Sequence, residues 1–188
     1  MKTPALIEAF KKIDRRDFIP EGQKEKAYVN EALPIGYGQT ISQPLVVAFM
    51  LELLEVKPGE KILEIGTGSG WQTALLTELG ARVISMERVG ELHSFAKQNL
   101  KKYGFLEKET SKLLVADGSK GYLPEAPFDK IIAAAAAEEL PAAWKDQLKI
   151  GGRIVAPVKD SIVVLDKSAK GKFKAKEYFG FSFVPLVK

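Results

Sequence analysis

KILEIGTGSG, Lys61 to Gly70, sets the fold of this chain. KILEI is a short apolar run of the kind that forms a buried strand, and the glycines after it make a turn feeding the helical stretch WQTALLTELG. The same unit then repeats downstream. ARVISMER reads as a second strand, and VGELHSFAKQNLKKYG as a helix closed by Gly104. KLLVAD, a helix or loop to Pro127, FDKIIAAAA, a helix around Leu140 to Leu148 and the strand GRIVAPV follow. Strands alternating with helices through short turns predict a parallel sheet covered on both faces. SIVVLDK and FKAKEYFGFSFVPLV, joined by the turn signal SAKGK, break that rhythm and predict an antiparallel hairpin on the sheet edge.

Upstream of Lys61 the pattern is different. Thr3-Pro4 reads as an N-cap with proline in the first turn, opening a helix to about Lys12. Ile13 to Gln39 holds Pro20, Gly22, Pro34, Gly36 and Gly38 and is expected to be mostly loop. A second helix is expected from Ser42, with Pro44 in its first turn, through LVVAFMLELLEV to a stop before Pro58-Gly59. The expected fold is α/β: a doubly wound, mostly parallel sheet of about seven strands, with an antiparallel C-terminal edge and N-terminal helices. One domain accounts for residues 1–188, with 1–57 as an N-terminal extension and 58–188 as the ligand-binding core.

Composition narrows the chemistry. The chain has 188 residues and no cysteine, which excludes disulfides, thiolate metal sites and cysteine nucleophiles. Its one histidine, His93, falls within an amphipathic helix, so neither a histidine metal cluster nor a Ser-His-Asp triad is expected, and no metal site is assigned. A formal net charge of +4 is too small to demand a nucleic acid partner. The N-terminal MKTPALIEAFKKIDRRDF lacks a signal peptide's apolar stretch, and no run approaches the ~20 apolar residues of a membrane span. A cytoplasmic location is the expectation.

The glycine spacing separates two classes of ligand. A dinucleotide site needs G-x-G-x-x-G, so that a pyrophosphate can sit on the helix N-terminus. Here Gly66, Gly68 and Gly70 bring the third glycine one residue early, and Trp71 takes the position that pattern reserves. G-x-G-x-G preceded by a carboxylate, Glu64, suits a ligand without phosphates, and S-adenosylmethionine is such a ligand. Glu64 can face its ammonium, directly or through water. Glu87 ends the second strand, where an acidic side chain accepts from ribose hydroxyls, and Asp117, before Gly118, could accept from the adenine amino group. Taken singly, a strand-end carboxylate is more often a helix cap or a solvated loop group. Three at the ends of three successive strands lie on the sheet edge where ligands bind in doubly wound folds.

A longer motif goes further. ALPIGYGQTISQP, Ala32 to Pro44, with IDRRDFIP before it and LEIGTGSG, VISMER, ADG and GGRIVAPV after it, closely resembles the protein-L-isoaspartate (D-aspartate) O-methyltransferases. The resemblance runs from about Ile13 to Val158 and ends weakly in FVPLV. It implies a Rossmann-like class I methyltransferase fold. It also implies transfer of a methyl group from S-adenosylmethionine, with S-adenosylhomocysteine as product, to the α-carboxyl of L-isoaspartyl residues in damaged peptides and proteins. Ser42 corresponds to the family's active-site serine. Gln39, Thr40, Ile41, Ser42, Glu64, Gly66, Thr67, Gly68, Glu87, Arg88, Asp117 and Gly118 then bind the cofactor, while Ser42, Gly38, Ala135 and Ala136 meet the peptide. The enzyme is expected to work as a monomer.

The available residues suit that chemistry. A backbone-type carboxyl has a pKa of about 3.3 to 3.7, so it is already a nucleophile at neutral pH and requires no general base. Holding the reactants in line can contribute roughly 7 to 11 kcal/mol. Ser42 would orient the acceptor by a hydrogen bond worth about 1.5 to 3 kcal/mol to a charged group; its other reading is a cap for the following helix. Two departures from the family pattern stand out: Glu138 occupies the place of the usual proline after A-A-A, and the loop after Val158 is shortened to Lys159-Asp160. A nucleic acid methyltransferase would carry Asn/Asp-Pro-Pro-aromatic or a cysteine, and neither is present. A metal-assisted enzyme would want carboxylates after the fourth strand, whereas Asp129 lies at its start. A non-catalytic binder of S-adenosylmethionine has only Glu138 in its favour.

Overall fold

The computed structural model of the chain describes residues 3–187. In chain order its elements are α1 (Pro4–Lys12), the short strands β1 (Leu33–Gly36) and β2 (Gln39–Ile41), and α2 (Pro44–Leu54). The alternating core follows as β3 (Lys61–Ile65), α3 (Trp71–Glu78), β4 (Arg82–Glu87), α4 (Gly90–Lys101) and β5 (Ser111–Val115). It continues through β6 (Phe128–Ala133), α5 (Ala142–Asp146), β7 (Leu148–Val158), β8 (Ser161–Lys167) and β9 (Phe173–Phe179). The sheet order is β5-β4-β3-β6-β7-β8-β9, parallel through β7 and antiparallel over the last two strands. This is the seven-stranded, doubly wound arrangement expected. The winding reverses between β3 and β6, and such a switch point opens a crevice at the strands' C-terminal ends.

Strand parity sorts the core. Ile62, Val83, Ile132 and Val155 pack with Leu6, Val47, Leu75 and Leu100 in one layer. Leu63, Ile84, Ile131 and Ile154 point the other way, toward Trp144 and Phe128. Residues of the N-terminal extension and of the glycine-loop helix share the first cluster, so the extension is packed into the sheet's own core. No helix among the described residues is long and apolar enough to cross a membrane.

Several boundaries differ from expectation. Ser42 does not cap α2: the N-cap is Gln43, whose side chain makes no capping bond, and Asn30 Oδ1 accepts from the Leu45 amide at 3.1 Å instead. Pro44 sets the start, because its fixed φ suits the first helical turn and it has no N–H to satisfy. Thr3 sits at the N-cap of α1 without a side-chain cap. The stretch read as loop holds 3-10 turns at Arg15–Phe18 and Glu21–Lys26 and the antiparallel β1–β2 hairpin. Finally, the last strand stops at Phe179. The FVPLV segment leaves the sheet edge and returns across the molecule, where the Ala136 amide donates to Val184 O at 2.8 Å and the Leu186 amide to Ala136 O at 2.7 Å.

Candidate functional site

Three recesses meet at the C-terminal ends of β3, β4 and β6. The first, about 640 Å³, is lined by Gln39 and Thr40, by Gly66 and Gly68, by Glu87 to Val89, by Ala116, Gly118, Ala134 and Ala135, and by the returning tail from Val184 to Val187. The glycine loop forms its floor. Gly66 and Thr67 donate their amides to Met86 O at 2.8 and 3.2 Å, and the Gly68 amide, with φ +55°, donates to Glu87 Oε2 at 2.8 Å. Glu87 Oε1 accepts from the Arg88 and Val89 amides at 2.8 and 2.9 Å. A carboxylate has about four lone-pair positions, so Glu87 braces the loop and retains capacity for a hydroxyl donor. Gly118 lies against Ile65, where a Cβ would come within 2.5 Å of Cγ2. Its carbonyl accepts from Trp144 Nε1 at 2.9 Å, which pins the rim turn.

The second recess, about 730 Å³, is lined by Ala32, Thr40, Ser42, Gln43, Val46, Ala134 and Ser182 to Val184. Among the described residues no charged side chain lines it. A third, about 330 Å³, lies between Ile41, Ser42 and Val47 on one side and Gly66 to Ser69, Trp71 and Gln72 on the other. Thr40 and Ala134 line all three, and Ser42 lines the second and third.

The expected residues are thus partly assembled. Gln39, Thr40, Gly66, Gly68, Glu87, Arg88 and Gly118 come together on the first recess with Ala135. Ile41, Ser42 and Thr67 border the third, where Thr67 Oγ1 lies 2.6 Å from Ser85 Oγ. Glu64 does not reach the cleft. It is 0 % exposed, on the same strand face as Ile62, and accepts from Thr73 Oγ1 and Gln72 Nε2 of α3. Burial pushes its carboxyl up to about 7. Glu64 thus lines none of the three recesses and supports the glycine loop from beneath through α3. Asp117 Oδ1 accepts from the Ser119 amide at 2.9 Å as the cap of a 3-10 turn. Its neighbours Ala116 and Gly118 line the first recess.

Gly38 sits in the exposed β1–β2 turn, outside the recesses, and Ala136 is engaged by the tail. Within the alanine run it is Ala134, not named from sequence, that stands where the recesses meet. Glu138 lines a separate groove with Lys145, Lys159 and Asp160 beside β8 and borders none of the three recesses. Arg15, Asn30 and the tail were also missed. Only Arg15 carried a local signal, as a basic residue inside the apolar-flanked IDRRDFIP.

Comparison with known proteins identifies the family. The family described as Protein-L-isoaspartate(D-aspartate) O-methyltransferase matches residues 1–188. A Methanopyrus kandleri protein named protein-L-isoaspartate O-methyltransferase is 44% identical over 194 residues, covering 100% of this chain and 85% of its own. A Flavobacterium psychrophilum protein of the same name is 46% identical over 185 residues, covering 97% and 85%. Among solved structures, a Plasmodium falciparum beta-aspartate methyltransferase in complex with S-adenosyl-L-homocysteine superposes with a TM-score of 0.87 at 26% identity, covering 100% of this chain and 92% of that one. The chain belongs to the protein-L-isoaspartate (D-aspartate) O-methyltransferase family.

Proposed function

We propose that this chain methylates the α-carboxyl of L-isoaspartyl residues, with the donor in the first recess and the peptide acid in the second. The observation that carries the reading is the two-residue seam, Thr40 and Ala134, shared by a ligand cleft on the glycine loop and a neutral pocket holding Ser42. The first recess suits S-adenosylmethionine: its lining has one acidic side chain, Glu87, one basic side chain, Arg88, and a floor of glycine backbone. When bound, the cofactor supplies a methyl group on a sulfonium, an electrophile that needs no further activation. Gln39, Thr40, Gly66, Gly68, Glu87 and Gly118 hold it, and Val184 to Val187 shield it from water.

On the acceptor side, Ser42, Thr40, Gln43 and Ser182 offer neutral donors. A carboxylate held by them stays an anion and keeps its nucleophilicity, whereas a lysine or arginine would pair with it and blunt it. Ser42 orients the acid and the small side chain of Ala134 leaves the transfer line open. Residues 1–57 form the acceptor side and 58–188 the donor side of one domain. The enzyme is a cytoplasmic monomer without a nucleic acid or membrane partner. Its lysine-rich edge is solvated, with Lys167 bonded to the Lys145 and Leu148 carbonyls.

Transfer of radioactive methyl from S-adenosylmethionine to an isoaspartyl peptide, run beside the same peptide with normal aspartate, tests this. Base-labile label in the first alone is the expected result. Label in both peptides, in RNA, or in neither would refute it.

A further inference from the structure

Arg15 is 4% exposed, and buried arginines ordinarily have a carboxylate to pair with. Among the described residues this one has none. Its guanidinium is held by main-chain carbonyls: Nη1 donates to Ala27 O at 2.8 Å and Val29 O at 3.3 Å, and Nη2 to Glu31 O at 2.9 Å and Ser42 O at 3.2 Å. Nε is buried without a partner. The guanidinium carbon lies 5.3 Å from the centre of the Trp71 ring, which also makes a T-shaped contact with Phe10.

The carbonyls are not a random set. Glu31 and Ser42 stand just outside the two ends of the β1–β2 hairpin, and Ala27 and Val29 lie on the approach to it. Trp71 opens α3 directly after the glycine loop. A planar fork with several fixed donors can close both ends of a hairpin at once and stack on an indole, whereas a lysine ammonium cannot do both. A hairpin needing only stability would bury an apolar residue there without the desolvation cost of a charge.

We propose that Arg15 is the positioning residue of the acceptor site: it clamps the hairpin against Trp71 and so fixes Ser42 relative to the glycine loop that holds the donor. This rests on the role given to Ser42 above. Arg15 touches neither ligand; it acts through the Ser42 backbone.

A double-mutant cycle separates this role from plain stabilisation. Arg15→Lys keeps the charge and the stem, Arg15→Gln serves if the lysine form does not fold, and each is made with and without Ser42→Ala. Donor affinity is measured by calorimetry, methyl transfer to the isoaspartyl peptide by label, and unfolding is followed to keep the assay below its onset. With Ser42 in place, the substitution is expected to lower kcat/KM by about tenfold or more with donor Kd within about threefold. Combined with Ser42→Ala it should cost less than about twofold further, because coupled residues are not additive. An equal loss in both backgrounds, or donor affinity falling in step with turnover, would overturn the proposal. Absence of transfer by the unsubstituted chain would instead fell the functional reading beneath it.

Discussion

Ala134 faces Gly66 across the point where the recesses join: a Cβ on that glycine would lie 3.6 Å from the alanine's own. A branched side chain at 134 would fill the seam without removing any donor or acceptor group. Ala134→Val is expected to lower kcat by about ten- to a hundredfold, the cost of misplacing reacting groups by an ångström or less, with donor Kd within about threefold. Calorimetry and label transfer on the same preparation check it, and equal losses in both would show that position 134 serves the donor alone. Glu64 makes a different prediction. Burial holds its carboxyl at about 7, above the ordinary 4.5, so the folded chain keeps a proton that the unfolded chain has lost between those values. Its contribution is therefore full below about pH 4.5, falls as pH rises toward 7, and is flat beyond. Glu64→Gln should remove that decline, a difference on the order of 3 kcal/mol across the window, read from urea unfolding at several pH values. A slope that survives in the variant would assign the effect to another group. Placement of Glu64 was itself legible: strand alternation puts it on the face of Ile62, toward the α3 layer where Gln72 and Thr73 donate to it.

Helix α2 sits between the acceptor pocket and the sheet, and both of its ends are tied by side chains from elsewhere. At the start, Asn30 accepts from the Leu45 amide. At the end, Lys130 Nζ donates to Leu54 O and Glu55 O at 2.6 and 2.7 Å, and Arg153 Nη1 donates to Leu53 O at 2.7 Å. Cations at a helix C-terminus meet its negative end and its unpaired carbonyls together. Lys130 is buried, and burial lowers its pKa, so the carbonyls and Glu60 are what keep an ammonium there. Lys130→Met is expected to destabilise the fold by about 2 to 4 kcal/mol, because it orphans carbonyls in a dry site. Asn30→Ala should cost about 1 kcal/mol, as a lost N-cap does. Chemical unfolding measures both, and an asparagine variant as costly as the lysine one would contradict the difference in burial. The existence of α2 was plain from its apolar run, but its start was not. The group that caps it lies 15 residues upstream, and no local spacing encodes that. The β1–β2 hairpin was hidden for a related reason. Gly36, Tyr37 and Gly38 all take positive φ, and glycines so close together read as loop until their pairing partners are known.

At the scale of the whole molecule, the alternating core was readable because each βα unit is local, whereas the tail's path depends on one distant pairing. FKAKEYF alternates as an edge strand and gives no sign that the chain should leave the sheet after it. What turns the tail back is Ala136, which both donates to Val184 and accepts from Leu186. Those bonds lay Val184 to Val187 as an apolar wall along the first recess, which the tail shares with Gln39 and Thr40 of the β1–β2 hairpin. Strand β9 is paired with β8 along its whole length and does not need the tail. A chain ending at Phe183 should therefore keep its far-ultraviolet circular dichroism, while its affinity for S-adenosylhomocysteine falls by about tenfold, or about 1.4 kcal/mol of lost cover. Calorimetric titration decides the matter. An unchanged Kd would mean that the wall touches the recess without enclosing its ligand, and a collapsed spectrum would mean that the tail holds the sheet and not the donor.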